Sequence, residues 1–581
     1  MAFKTTTMLA VALALFGSVS GEMGCPLNDP NFSEVEGNCQ ARPVPADHPR
    51  AGATGEIEMR EPLGVLEGTF DAGRPNARHI SNTIGSQELS GERSNDRFNL
   101  LTIFFGQFLD HDLTLALEAE HSEENIVHID DVGDGMGDLE FVRSFATAPG
   151  EFANMNTAWL NLGNVYGDTE DRCQALRADD YHEPGFMKTT TLFRNKEYLP
   201  LHSEMDGVLD FAAGPGEAEP IECGMMKTRK RKGSCSPLNG TVPFFACGDV
   251  RCNENLVLLS FHTLWLRNHN RLASLALDDI PRGSMSAEEY SQLIFDTARY
   301  TNICTWQQII FEEWLPAVIG QSGMDLMKER TPSGELPPTM SLLFSTSAFR
   351  FGHSGLASSI IQASNRGKIT RSDRLADLFF DPANLVEDPK TLHRVFNGLR
   401  ITPHEDIDTF MIDDIRNMLF GNNGAAPHDL LTLNIMRGRD HGLPGFNEAA
   451  EHFGTPRYES FEELTGGPSE LATKLTELYG EGADAVDKAD IFVTGLAEAD
   501  FGDSQLGSLF TMILVDQFSR IRDADKFWYT EAPSTLEPIP SMAQVIGYNT
   551  RAKAKFRGET SAFVISRIRE GEEDDEAIEE E

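Results

Sequence analysis

Phe98-Asn99-Leu100-Leu101-Thr102-Ile103-Phe104-Phe105-Gly106-Gln107-Phe108-Leu109-Asp110-His111-Asp112-Leu113-Thr114-Leu115 is the stretch whose reading decides the fold. Its apolar residues recur too densely for a helix on a surface, so it predicts a largely buried helix. In such a helix Gln107, Asp110 and His111 share one face, because residues three and four apart are neighbours. Burying an amide, a carboxylate and an imidazole together costs on the order of several kcal/mol unless each finds a partner. The trio therefore asks for a ligand, a metal or a polar cavity. A core histidine bonded to a nearby carbonyl is the usual reading of a lone His, but this one has Asp on both sides and Gln a turn back. Asp112 lies about 100° round the helix from His111 and serves a different neighbour.

Around that helix the chain has 581 residues and a formal charge of −42. Nucleic acids and anionic membranes want stripes of Lys and Arg, so that charge argues against both as partners. Residues 1–20 carry Lys4, the apolar run Met8–Phe16 and then small residues, which reads as a signal peptide. No later apolar run is long enough for a transmembrane segment. The eight cysteines, Cys25, Cys39, Cys173, Cys223, Cys235, Cys247, Cys252 and Cys304, belong to an exported chain on this reading and predict disulfides. Asn31-Phe32-Ser33 and Asn239-Gly240-Thr241 are glycosylation sequons. The basic run Lys227–Lys232 reads as an exposed loop, with a processing site as the alternative. The crowded carboxylates of residues 570–581 predict a self-repelling disordered tail.

The run from Gly106 through Asp110-His111-Asp112 resembles the distal helix of the animal haem peroxidases. Further matching blocks follow in that family's order: Asn156–Gly167, Phe244–Asn255 with Phe261–Ala273, Ala348–His353, Leu433–Gly445, and a helix and its exit at Asp516–Tyr529. The resemblance implies a mainly α fold, a single large helical domain around a buried haem with few short strands. It sets the catalytic domain at 96–530, after an N-terminal segment 21–95 holding Cys25 and Cys39 and before an extension 531–569.

By the same resemblance His111 is the distal acid/base, Arg251 the distal guanidinium and Gln107 a contact to the halide or water site. Asp110 and Glu254 correspond to carboxylates esterified to haem b, and His353 to the axial ligand of the iron. Arg350 and Arg437 correspond to propionate-side residues, and Asn434 to the acceptor of the proximal imidazole N–H. Asp112, Thr157, the Trp159 carbonyl, Asn161 and Gly163 fall on the family's calcium ligands. Asn161 and Gly163 replace the usual Asp and Ser, which removes one charge and one side-chain oxygen. Cys25–Cys39 and Cys223–Cys247 resemble family bridges; Cys173–Cys304 and Cys235–Cys252 are guessed for the other four, which the resemblance does not pair.

The implied activity is reduction of hydrogen peroxide through an oxoferryl compound I, with a small anionic or phenolic reductant. Asn255 stands where myeloperoxidase-like members have the Met whose sulfonium bond raises oxidising power, so bromide, iodide, thiocyanate or phenols are expected to outrun chloride. Two other readings remain open. A fatty-acid oxygenase needs a Tyr shortly before the proximal His, where this chain has Arg350, Phe351 and Gly352. An adhesive peroxinectin-like protein would use the fold for binding, and the chain has no Arg-Gly-Asp.

Overall fold

The computed structural model describes residues 73–565 except 87–93, 203–220, 223–240, 333–338, 421–427, 532–538, 553–560 and a few shorter gaps. The leader, Cys25, Cys39, Cys223, Cys235, both sequon asparagines, the basic run and the acidic tail lie outside the described residues. Within them helices dominate, and every strand pair forms a two-stranded antiparallel ladder.

The chain enters through α1 (Ala77–Ile84) and β1 (Ser94–Asn99), which pairs with β2 (Pro403–Glu405) and runs straight into α2 (Leu100–Leu113). Asn99 makes that junction. Its side chain caps α2 by accepting from the Leu101 N–H, while its Nδ2 donates to the carbonyls of Ala562 at 2.8 Å and Val564 at 2.7 Å. Of the 14 residues of α2, only Gly106, Gln107 and Asp110 escape full burial. The apolar density thus reports a helix sunk on nearly all sides, with one narrow face left for chemistry.

Two long helices flank it. α3 (Leu256–Asp279) is capped by Asn255, and α4 (Ala287–Ile309) starts with a capping box between Ser286 and Glu289 and ends in a π-helical turn, Ile310–Trp314. Phe105 packs against Trp306 at 4.8 Å and Phe563 at 5.0 Å, and Phe108 stacks on Phe261 at 5.5 Å. Replacing either Phe with Ala costs about 3–5 kcal/mol by the usual scale of buried aromatics. Gly106 lets the helix approach Trp314: a Cβ there would already sit 3.3 Å from the indole, whose Nε1 donates to the Thr102 carbonyl at 2.9 Å.

On the opposite side, a 3₁₀ turn (Ala348–His353) lies against α2 and α6 (Ser508–Ala524), and α5 (Leu430–Asp440) packs on α1. α7 (Met542–Asn549) packs on α3, so the core takes in elements on both sides of 96–530. No helix of the described residues is long and apolar enough to cross a membrane.

The disulfides differ from the expected pairs. Cys247 is bonded to Cys252, not to Cys223, and Cys252 is therefore not the partner of Cys235. The chain turns on itself between them and brings the two Cα atoms to 6.6 Å, within disulfide reach. Cys173 is disulfide-bonded, whereas Cys304 is a buried thiol on α4, which removes Cys173–Cys304. Spacing could not choose, since eight cysteines allow about 105 pairings.

Candidate active site

Gln107 and Asp110, two of the three less-buried positions of α2, meet groups from other elements. Gln107 Nε2 donates to Glu254 Oε1 at 2.9 Å, and Asn255 Nδ2 donates to Gln107 Oε1 at 3.2 Å. Asn255 also caps α3 through its Oδ1, which accepts from the Leu258 N–H at 2.8 Å. One residue therefore starts the helix and orients the distal glutamine. Asp110 accepts from the Thr114 hydroxyl at 2.7 Å and lies 3.9 Å from the Arg251 guanidinium. Its side chain keeps 31% of its surface accessible while the fold encloses it, as expected for the wall of an internal hollow.

His111 is buried, and its Nδ1 has no hydrogen-bond partner among the described residues. Burial, then the nearby Arg251 guanidinium, holds its pKa well below the ordinary imidazole value, so the ring is neutral. Asp249 stands 3.8 Å from that Nδ1. Asp249 lies in a motif quoted from the sequence but was assigned no role there, and it organises the distal side. It accepts from the Arg251 Nε at 2.9 Å, Nη2 at 2.7 Å and backbone N–H at 2.7 Å. Burial would raise the Asp249 carboxyl, but Arg251, His111 and these hydrogen bonds together hold it well below the usual carboxylate range. Arg251 is thus neutralised inside the protein before any substrate arrives. An Asp two residues before a loop Arg was the available signal, a spacing at which a carboxylate can take the Arg backbone N–H.

Burial dominates the other two carboxylates. Asp110 is raised from its ordinary value, and Glu254 is pushed up to about 7, against opposing pulls from Arg251.

The proximal side is built differently. Arg350, in the 3₁₀ turn, donates to Asn434 Oδ1 at 2.7 Å and the Ser345 carbonyl at 3.0 Å. Burial and then the charge of Arg437 lower it to about 10, and the carboxylate acting on it is Asp110, across the hollow. Arg437, on α5, is committed elsewhere: Ser144 Oγ at 2.6 Å, Asp440 at 3.3 Å and Glu118 at 3.4 Å. His353 is lowered to about 3 by burial and then by Arg350, leaving a neutral imidazole suited to a metal. Asn434 reaches His353 Nδ1 at 2.9 Å, but with its Nδ2. The other end of the same amide meets Arg350.

These residues fit a haem. A buried guanidinium bonded to an amide and a carbonyl suits a propionate, a neutral imidazole suits iron, and two carboxyls driven toward their uncharged form suit ester formation.

The remaining predicted residues gather behind α2. Asp112 is 0% exposed. Its Oδ2 accepts from Trp306 Nε1 at 2.8 Å and its Oδ1 from the Gly163 N–H at 2.6 Å. Asn161 Oδ1 accepts from the same N–H at 3.0 Å and lies 3.5 Å from Thr157 Oγ1. Trp159 is buried in the same loop. Oxygens of Asp112, Asn161 and Thr157 therefore converge, a donor set that fits a hard cation. Trp306, which orients Asp112, was not foreseen, since it is 194 residues away in sequence.

Comparison with known proteins agrees with this geometry. Residues 56–554 match the family described as animal haem peroxidase. The chain is 29% identical over 529 residues to peroxidasin of Drosophila melanogaster, covering 82% of this chain and 32% of that protein. It is 29% identical over 480 residues to peroxinectin A of Dictyostelium discoideum, covering 78% and 80%. The chain spans about a third of the length of the peroxidasins and dual oxidase it matches. Among solved structures, peroxidase A of Dictyostelium discoideum superposes with a TM-score of 0.70 at 26% identity, over 86% of this chain and 94% of that one. The fatty acid alpha-dioxygenase of Oryza sativa, at 15% identity and a TM-score of 0.65 over 89% and 84%, shares the fold alone. The chain belongs to the animal haem peroxidase family.

Proposed function

We propose that this peroxidase is an exported enzyme that oxidises bromide, iodide, thiocyanate or small phenols, with His111 as distal base and His353 as axial ligand. The observation that carries the reading is the neutral His111 beside the Asp249–Arg251 ion pair, with a second neutral imidazole across the hollow. The anionic Asp249 favours the His111 tautomer with its proton on Nδ1, leaving Nε2 to take a proton from peroxide and return it to the departing oxygen. Haem, when bound, supplies the iron at which the peroxide bond is split. Arg251, already held by Asp249, presents its Nη1 toward Asp110 and stabilises charge developing on the oxygen with little reorganisation.

Asp110 and Glu254 are the ester partners on this reading, because burial favours their uncharged forms. Acid-acetone extraction should then leave haem on the protein and free it from the Asp110→Ala, Glu254→Ala double variant; full release from the parent protein refutes the ester.

The reductant preference rests on Asn255, which carries no sulfur for a third haem bond. Its two structural duties explain what the position does instead. Monochlorodimedone halogenation with each halide in turn tests this, and brisk chlorination at neutral pH refutes it. Asn255→Met should raise chloride activity while losing a helix cap, at a cost of about 0.5–2 kcal/mol.

Export follows from the predicted leader together with disulfides at Cys247–Cys252 and Cys173, which form in oxidising compartments. Calcium is the cation that the loop around Asp112 would hold. A haem spectrum and peroxide-dependent turnover of a phenolic dye, both absent in a scaffold protein, test the enzyme reading as a whole.

A further inference from the structure

The loop around Asp112 lacks two oxygen donors that the family resemblance leads one to expect, and Asp168 stands against one of those positions, Gly163. A side chain at 163 would collide with Asp168 Oδ1, and a Cβ there would lie 3.3 Å from Asn161 Oδ1. The Asp168 carboxylate thus occupies the space that the missing side chain at 163 would have filled, beside the Asn161 amide oxygen. Asp112 is a fully buried carboxylate whose partners are N–H groups. Buried charges of that kind are paired or coordinate a metal. Asn161 is 1% exposed, and its Oδ1 shares the Gly163 N–H with Asp112 Oδ1, so two buried oxygens lie side by side.

Charge arithmetic points the same way. Calcium affinity follows the number of charged ligands and the rigidity of the cage. Asn161 takes one carboxylate out of the set, and Asp168 returns one from seven residues further along. We propose that Asp168 is a calcium ligand replacing those lost at 161 and 163, so that the ion sits on two carboxylates, Asp112 and Asp168, with Thr157 Oγ1, Asn161 Oδ1 and loop carbonyls. The proposal rests on the calcium reading above. Trp306 holds Asp112 Oδ2 and leaves Oδ1 turned to the loop.

The ion would also brace the distal side. Asp249 N donates to the Asn164 carbonyl at 3.0 Å, and Gly248 lies so close that a Cβ would stand 2.5 Å from that oxygen. Asn156 Nδ2, at the start of the same loop, donates to the His111 carbonyl at 2.6 Å.

The test is calcium content of the purified holoenzyme by elemental mass spectrometry, with calcium titration of chelator-treated protein followed by thermal melting. The parent protein should hold calcium and melt higher with it. Asp168→Asn should bind it about a hundredfold more weakly. Adding Asn161→Asp to Asp168→Asn should restore binding, which a purely structural role for Asp168 does not predict. Parent-like affinity in Asp168→Asn overturns the Asp168 ligand and leaves calcium standing. A parent protein that neither contains calcium nor responds to it overturns both. Failure of Asn161→Asp to restore binding overturns the ligand role even if Asp168→Asn is poorly folded.

Discussion

The distal and proximal walls of the site carry similar residue types and satisfy them in opposite ways. On the distal wall Arg251 has its counter-ion inside the protein, three hydrogen bonds to Asp249, and His111 beside the pair. On the proximal wall Arg350 has an amide and a carbonyl, and its charge weighs on His353. The distal wall is therefore organised before anything binds, whereas on the proposed reading the proximal wall would gain its anion from bound haem. Proton transfer profits from preorganised charge, and cofactor retention profits from charge left uncompensated.

That contrast can be broken at four points. The largest effect is expected from His353→Ala, which should purify with little haem and negligible peroxidase activity, read from Soret absorbance per protein. If this variant kept the parent spectrum, the proximal assignment would fall. Next comes His111→Ala, which should keep its haem yet react with peroxide about two to four orders of magnitude more slowly in stopped flow. Loss of haem instead would mean the two walls are not separable.

Asp249→Asn sharpens the distal half. A slowing of about tenfold to a hundredfold is expected, the usual scale for a partner behind a reacting group. The pH profile adds a sign. His111 must be neutral to act, and its pKa is held below the ordinary 6.5, so the acidic limb should lie below that pH. The negative charge of Asp249 raises the His111 pKa, so removing it should move the limb to still lower pH. A limb that moved upward would show that Asp249 is not acting on His111 through its charge. The smallest effect is expected from Arg350→Gln: less haem incorporated per protein, read from Soret absorbance, with a peroxide rate per haem within about threefold of the parent. A slowing as deep as that of His111→Ala would erase the distinction between the walls.

Some of this was legible in the chain. The apolar density of Leu100–Leu113 and the three-and-four spacing of Gln107, Asp110 and His111 are local properties, and a helix expresses them wherever it lies. That Asp112 serves a different neighbour from His111 also follows from helix geometry, and the structure places it against Trp306 and Gly163. The motif blocks carrying Arg251, Glu254, Arg350, His353 and Asn434 were readable by resemblance, and the fold sets Glu254 against Gln107, Arg251 near Asp110, and Asn434 against both Arg350 and His353.

What only the tertiary structure decided concerns partners distant in sequence or competing for one atom. Cys247 could pair with any of several cysteines until the turn to Cys252 brought their Cα atoms together. The Asn434 amide meets both His353 and Arg350, 81 and 84 residues away, a pairing no local spacing reports. Asp249 reads as an ordinary loop acid until the fold sets it between Arg251 and His111. Asp168 gains meaning from the space above Gly163, which no spacing rule measures. Periodicity reports which face of an element is buried; which group meets a buried atom depends on the other elements packed there, and only the folded chain specifies them.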